Sequence, residues 1–155
     1  MIERVAGREA APLARVLLWA ARRETAKMTG RETERMLEPL ELYAHAPRLL
    51  LGYGLFEQAT AKLHRVPERL KVLAELKAAA LTNCEYCVDI SSQIARRAGI
   101  GDEQLLALPR YRDSELFSEL EKLVLDYAVG VSRTPVDVPE ELLERLCRHF
   151  DGAQV

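Results

Sequence analysis

The chain has 155 residues, of which 48% are hydrophobic and 30% are charged, with a formal net charge of −2 at pH 7. Length and composition favour a single folded domain over residues 1–155 and exclude a disordered chain. The slightly acidic balance argues against a nucleic-acid-binding protein, and the apolar runs are shorter than the ~20 residues of a membrane span.

Hydrophobic residues recur with a helical period along most of the chain, so the sequence predicts an all-α fold. The first predicted helix spans residues 9–27, and the segment Thr29-Gly30 terminates it. The residues before it lack the apolar core and cleavage site of a secretory signal, so we expect a cytoplasmic protein. A polar stretch, residues 31–39, precedes a helix that begins at Pro47 and carries apolar residues on one face.

Two helices are predicted around the middle of the chain. The first begins near Pro67 and is interrupted at residues 82–83. The second spans residues 84–98 and is followed by Gly99, a residue type that favours the left-handed conformation found after helices. The two are therefore expected to pack as an antiparallel pair.

Three more helices are predicted in the C-terminal part. The first begins at Asp102 and the second spans residues 114–131. Asp137 and Glu140 have the spacing of a capping box before the third helix. Asp151 has the character of a further helix N-cap, so we expect the natural protein to continue into a helix that this sequence lacks.

The motif Cys84-Glu85-Tyr86-Cys87 is the feature that points to chemistry. Residues three apart share a helix face, so the two sulfurs can meet. At the beginning of a helix, free backbone N–H groups and the helix dipole favour the nucleophilic thiolate, here that of Cys84. A peroxide can oxidise one thiolate to a sulfenic acid, the second sulfur can then close a disulfide, and an external dithiol can reset the pair.

Two further side chains are candidates for this site. Ser91 continues the helix face of the cysteines, and Glu75 lies nine residues before Cys84, where an antiparallel helix pair brings it towards the sulfurs. The alternatives for the pair are an inert buried pair and a zinc site. Zinc would need Cys147, otherwise expected to be a buried thiol, and His149, but the two point to opposite sides of a helix. We therefore expect no metal and no cofactor.

The run from Ala78 to Ser92, followed by Ala-Arg-Arg-Ala-Gly-Ile at residues 95–100, resembles the core of the carboxymuconolactone decarboxylase and alkylhydroperoxidase D-like family over residues 67–108. The resemblance implies an alkylhydroperoxidase D-like helical bundle with the Cys-x-x-Cys at the start of a helix. It also implies homo-oligomers (dimers, trimers or hexamers) and thiol-dependent reduction of a peroxide or disulfide substrate by an unidentified thiol reductant.

The family pattern also implies residue roles. Its second cysteine attacks peroxide and its first resolves the disulfide, which implies Cys87 as nucleophile and Cys84 as resolving residue, the opposite order to the helix-end argument. The pattern has a histidine four residues after the second cysteine and a glutamate twelve before the first; here those positions hold Ser91 and Val72. Glu75 is the expected substitute in the proton relay. Further candidate bases are Asp89, His45 and His64.

Three functions are consistent with these patterns. The cysteine pair favours a thiol peroxidase or disulfide reductase. A carboxymuconolactone decarboxylase-like lyase acting on a small carboxylic substrate is the second, and it would not depend on either cysteine. The third is a non-enzymatic oligomeric redox-sensing scaffold, whose disulfide would form without turning over.

Overall fold

The computed structural model describes residues 11–30 and 38–154, which form helices and turns and contain no strand. The predicted all-α fold class is confirmed. No helix in these ranges is long and apolar enough to cross a membrane. The chain divides into two compact units, with the boundary between Leu63 and His64. The organisation as a single domain over residues 1–155 stays a prediction.

Over residues 11–30 and 38–63, the first unit contains three helices: α1 (Pro12–Thr29), α2 (Glu38–Tyr43) and α3 (Pro47–Thr60). Proline lies in the first turn of both α1 and α3, where its missing N–H leaves no helical hydrogen bond unmade. α1 ends where Gly30 adopts a φ of 74° and donates its amide to the carbonyl of Ala26. The predicted beginning of α1 at residue 9 lies outside the described residues.

The core of the first unit is small and, within the described residues, consists of five buried side chains. α1 buries Ala14 and Leu18, while Leu13 and Val16 are exposed. α3 buries Leu50 alone and exposes its remaining large apolar side chains. The buried members of this core are Ala14, Leu18, Leu40, Ala44 and Leu50.

The second unit contains five α-helices and one 3-10 helix. α4 packs against both α5 and α7, so it is the central helix of this unit. The elements, in chain order, are α4 (Glu68–Leu81), α5 (Glu85–Arg97), α6 (Asp102–Ala107), a 3-10 helix (Leu108–Asp113), α7 (Glu119–Val131) and α8 (Glu140–Cys147).

The core of the second unit joins α4 to α5, α7 and the segment between α6 and α7. Its largest fully buried side chains are Leu73, Ile100, Leu125 and Val72. Each apolar side chain of this size stabilises the fold by roughly 1.5–3 kcal/mol when it leaves water. The remaining buried members of the cluster are Leu76, Ala95, Leu108, Tyr111 and Phe117.

A capping box begins α7, which therefore starts later than predicted. The hydroxyl of Ser118 accepts the amide of Glu121, and the Glu121 carboxylate accepts the amide of Ser118. The capping box predicted at Asp137 is wrong. Pro139 is the N-cap of α8, and the Asp137 carboxylate instead accepts from Arg133 at 2.6 Å.

Arg69 on α4 ties three parts of the second unit together. Its guanidinium donates to Glu121 Oε1 at 2.7 Å, to the carbonyl of Gly99 at 2.8 Å and to Gln104 Oε1 at 2.7 Å. Burial alone would raise the pKa of Glu121, but the amide and hydroxyl of Ser118 and the charge of Arg69 outweigh it and hold that pKa below its usual value. The end of α5 is therefore anchored to α4, α6 and α7.

Candidate redox site

The turn between α4 and α5 places the cysteine motif. Asn83 has a φ of 52°, and among the described residues it is the one non-glycine residue with a positive φ. Its amide reaches the carbonyl of Ala80 at 3.4 Å, and the amide of Cys84 reaches the carbonyl of Ala79 at 3.0 Å. This pair of bonds is the Schellman arrangement that ends many helices, with asparagine in the left-handed position usually held by glycine.

Cys84 then begins the next helix. It is the N-cap of α5, and its Sγ accepts the backbone amide of Cys87 at 3.3 Å. The two cysteines form a disulfide, with Cα atoms 5.2 Å apart. The prediction that the sulfurs meet at the start of a helix is confirmed. Cys84 thus uses its amide to close α4 and its sulfur to cap α5.

Both cysteines are half-buried. The amide that points at Cys84 Sγ belongs to the first turn of α5, where the helix dipole is positive. In the reduced protein this amide would stabilise negative charge on that sulfur. The arrangement can therefore support thiol–disulfide exchange and nucleophilic attack by a thiolate.

The other predicted site residues lie on the two helices that flank the turn. Ser91 is buried on α5, one turn after Cys87, on the same face. Glu75 is exposed on α4. Their catalytic roles stay predictions. Val72, at the position of the family glutamate, is 1% exposed within the apolar core, so that position supplies no proton acceptor.

The remaining candidate bases are all surface residues. Asp89 on α5 is exposed and accepts a hydrogen bond from the side chain of Gln93 at 3.3 Å. His45 and His64 are exposed and lie outside the helices. Cys147 is a free, exposed thiol, so its prediction as a buried core residue is wrong. Within residues 11–30 and 38–154, no group of three potential metal ligands lies together.

A second polar cluster is buried beside α4. Lys77 is 8% exposed; its Nζ lies 4.9 Å from the ring centre of Tyr111 and 3.4 Å from the carbonyl of Leu108. Burial, and then the charge of Arg112, lower the pKa of the Lys77 amine. Burial, and then its hydrogen bond to Asp126, raise the pKa of Tyr111 to about 12. These residues join α4 to the 3-10 helix and α7.

Sequence reasoning missed the part played by Asn83. The available signal was an asparagine between the end of one helix pattern and the N-cap of the next, because asparagine is the commonest substitute for glycine in the left-handed position. It was interpreted only as an interruption. Lys77 gave no signal, since a lysine among apolar helix positions is equally compatible with an exposed face.

Comparison with known proteins identifies relatives of the chain. The model of the carboxymuconolactone decarboxylase family matches residues 47–129. The uncharacterized protein YnjA of Escherichia coli (strain K12) is 35% identical over 122 residues, covering 76% of this chain and 65% of that protein. The uncharacterized protein YdfG of Bacillus subtilis (strain 168) is 25% identical over 83 residues, covering 53% of this chain and 56% of that protein. Each match spans less than two thirds of the relative.

A solved structure shares the fold. It is the crystal structure of a cysteine-to-alanine variant of the debrominase Bmp8 in complex with 2,3,4-tribromopyrrole. The TM-score is 0.74 at 18% sequence identity, and the superposition covers 97% of this chain and 79% of that one. The likeness confirms the predicted helical-bundle fold class.

Proposed function

The chain belongs to the carboxymuconolactone decarboxylase family, and within that family we propose that it is a thiol-dependent oxidoreductase that reduces a peroxide or a disulfide. The observation that carries this proposal is the Cys84–Cys87 disulfide at the N-cap of α5. Two half-buried cysteines at a helix N-terminus match what reversible thiol oxidation requires.

The reaction begins from the reduced pair. One thiolate attacks an oxygen of the hydroperoxide, the O–O bond breaks, and the alkoxide leaves with a proton as an alcohol, giving a sulfenic acid. The second sulfur attacks the first, water leaves, and the disulfide forms. One hydroperoxide and two thiols thus give one alcohol, one water and one disulfide. An external dithiol then reduces the disulfide by two exchange steps and is itself oxidised.

The proton path differs from the family pattern. Val72 and Ser91 hold the positions of the family glutamate and histidine, and neither acts as a base near pH 7. We propose that Glu75 accepts the thiol proton through water and that Ser91 hydrogen-bonds the sulfur of Cys87. The helix N-terminus also stabilises the thiolate, so that less depends on a base.

A turnover assay tests the proposal. The protein is mixed with an organic hydroperoxide and excess dithiothreitol, and loss of hydroperoxide is followed for the wild type and for Cys84→Ser, Cys87→Ser and Cys147→Ser. Catalytic loss in the wild type and Cys147→Ser, at least tenfold slower in the other two variants, is the expected result. Turnover that survives in Cys84→Ser and Cys87→Ser would overturn it.

The family name gives a second candidate, a lyase acting on a small carboxylic substrate. That activity would survive when both Cys84 and Cys87 are replaced by serine. A redox-sensing scaffold is recognised differently, because its disulfide would form with peroxide but would resist reduction by dithiothreitol, so that each protein consumes at most one hydroperoxide. The double serine variant and the number of turnovers per protein therefore separate the three functions.

We further propose that the protein works in the cytoplasm as a homo-oligomer. A reducing compartment keeps the cysteine pair available as thiols. α3 buries one residue and exposes several large apolar ones, a surface that a second copy would remove from water. Those exposed residues are Leu49, Leu51, Leu55 and Phe56. Sedimentation equilibrium should give a mass above that of one chain, and Phe56→Glu should lower it.

A further inference from the structure

We infer that Asn83 is a positioning residue for Cys84, and that Cys84 rather than Cys87 is the sulfur that attacks the substrate. The inference rests on the thiol chemistry proposed above and deepens it by giving each cysteine a role. It reverses the order that the family resemblance implies.

The role of Asn83 follows from the backbone of the turn. Its left-handed conformation, with φ of 52°, lies between the end of α4 at Leu81 and the N-cap of α5 at Cys84. The amide of Cys84 consequently points back to the carbonyl of Ala79, at 3.0 Å, while its side chain faces the first turn of α5. A side chain other than asparagine or glycine pays a steric penalty in this conformation, so it would disfavour the turn.

The role of Cys84 follows from the hydrogen bond that the turn makes available. The amide of Cys87 donates to Cys84 Sγ at 3.3 Å, the bond by which an N-cap side chain satisfies a free amide of a helix. A negative sulfur accepts such a bond more strongly than a neutral one. The first cysteine therefore gains stabilisation as a thiolate from the backbone of the second.

The two family relay positions hold no base that could take a proton from Cys87. Ser91 is a hydroxyl one turn later on α5, and Val72 is an apolar residue in the core. Deprotonation by a base would favour Cys87 as the thiolate, and this route is weakened. Stabilisation of a thiolate by the helix N-terminus favours Cys84, and this route is present. The thiolate of Cys84 attacks an oxygen of the hydroperoxide and becomes a sulfenic acid, and the alcohol leaves. The sulfur of Cys87 then displaces water from Cys84 to close the disulfide.

The test measures the reactivity of each thiol and uses no peroxide. The protein carries Cys147→Ser so that two thiols remain, is fully reduced, and is treated with iodoacetamide between pH 5 and pH 9, with each cysteine followed by peptide mass. Wild-type Asn83, Asn83→Gly and Asn83→Ala are compared, and far-UV circular dichroism verifies the helix content of each.

We expect Cys84 to be alkylated faster than Cys87 and to begin reacting at a lower pH. Asn83→Ala should slow alkylation of Cys84 by about five- to thirtyfold, the factor that corresponds to the cost of the left-handed conformation. Asn83→Gly should stay within about twofold of the wild type, because glycine adopts that conformation freely.

Faster alkylation of Cys87 than of Cys84 would overturn the assignment of the nucleophile. This comparison uses only the protein that keeps Asn83. A folded Asn83→Ala protein whose Cys84 reacts at the wild-type rate would overturn the role of Asn83. Failure of the proposed function has a separate signature, since the alkylation order would hold while peroxide turnover is missing.

Discussion

The turns before and after α5 have the same backbone conformation but different roles. At each end a helix terminates in a left-handed residue, Asn83 with φ of 52° before α5 and Gly99 with φ of 80° after it. The next residue donates its amide to a carbonyl of the finished helix, at 3.0 Å for Cys84 and 2.9 Å for Ile100. Ile100 is 1% exposed in the core, whereas Cys84 is half-buried at the candidate site.

The difference lies in what surrounds each turn. After α5, Arg69 donates to the carbonyl of Gly99 and to Glu121, and the side chain of Ile100 fills the core. Before α5, the side chain after the left-handed residue is a sulfur that caps the helix and bonds to Cys87. One backbone motif thus stabilises the fold at one end and places a reactive group at the other. Substitutions after α5 should lower stability and spare the thiol chemistry, whereas substitutions before α5 should also disturb the thiol chemistry.

The largest effect is expected for Arg69→Met. Glu121 would remain buried without its cationic partner, so the free energy of unfolding should fall by about 3 kcal/mol, measured by urea denaturation. Disulfide formation between the cysteines should be unchanged. Arg96→Met is the matched control, because Arg96 pairs with Asp102 on the surface and its loss should cost less than about 1 kcal/mol. Equal effects of the two substitutions would contradict the anchoring role of Arg69.

A smaller loss is expected for Gly99→Ala. A Cβ at this position would meet no described atom within 4 Å, so the cost is the left-handed conformation itself, roughly 1–2 kcal/mol in the free energy of unfolding. Gly99→Asn should recover part of that loss, because asparagine tolerates the conformation that it already adopts at residue 83. A Gly99→Ala protein as stable as the wild type would show that the turn after α5 does not depend on its backbone conformation.

Acid should weaken the anchored end in a defined pH range. The pKa of Glu121 is lower in the folded than in the unfolded protein, so its contribution to stability is present above its unfolded pKa and is lost as the pH falls through the folded value. Thermal unfolding between pH 6 and pH 3 should therefore show a steeper decline for the wild type than for Glu121→Gln. Parallel curves for the two proteins would contradict the shifted pKa.

The smallest change in stability is expected for Asn83→Gly. Both residues adopt the left-handed conformation, so the free energy of unfolding should change by less than about 1 kcal/mol in urea denaturation. Asn83→Ala should lower the free energy of unfolding about as much as Gly99→Ala does. Only Asn83→Ala should also slow the alkylation of Cys84. If Gly99→Ala slowed alkylation of Cys84 as much as Asn83→Ala does, the separation between the two ends of α5 would be lost.

Much of the fold follows from local sequence patterns. The helical period predicted an all-α protein, proline marked the first turn of α3, and Gly99 was recognised as the residue after α5. The start of α5 could be placed because Cys84 and Cys87 have the spacing of one helix turn. These features depend on residues close together in the chain, so one sequence is enough to predict them.

Features that depend on distant residues were predicted less well. The capping boxes are a local exception: Ser118–Glu121 and Asp137–Glu140 have the same spacing, but only the first pair forms a box, because Pro139 is the N-cap of α8. The buried face of α1 is set by its contact with α3, which a helical period does not specify. The roles of Glu75 and Ser91 stay predictions for the same reason: proton transfer depends on spatial relations beyond their own helices.

The most direct test of the redox pair is a single oxidation followed by intact mass. The fully reduced protein is mixed with one equivalent of an organic hydroperoxide, and the wild type is compared with Cys87→Ser and Cys147→Ser. Rapid loss of the mass of two hydrogens from the wild type and Cys147→Ser, with no such loss from Cys87→Ser, is the predicted result. No reaction in the wild type, or the same loss in Cys87→Ser, would contradict peroxide-driven closure of the Cys84–Cys87 disulfide.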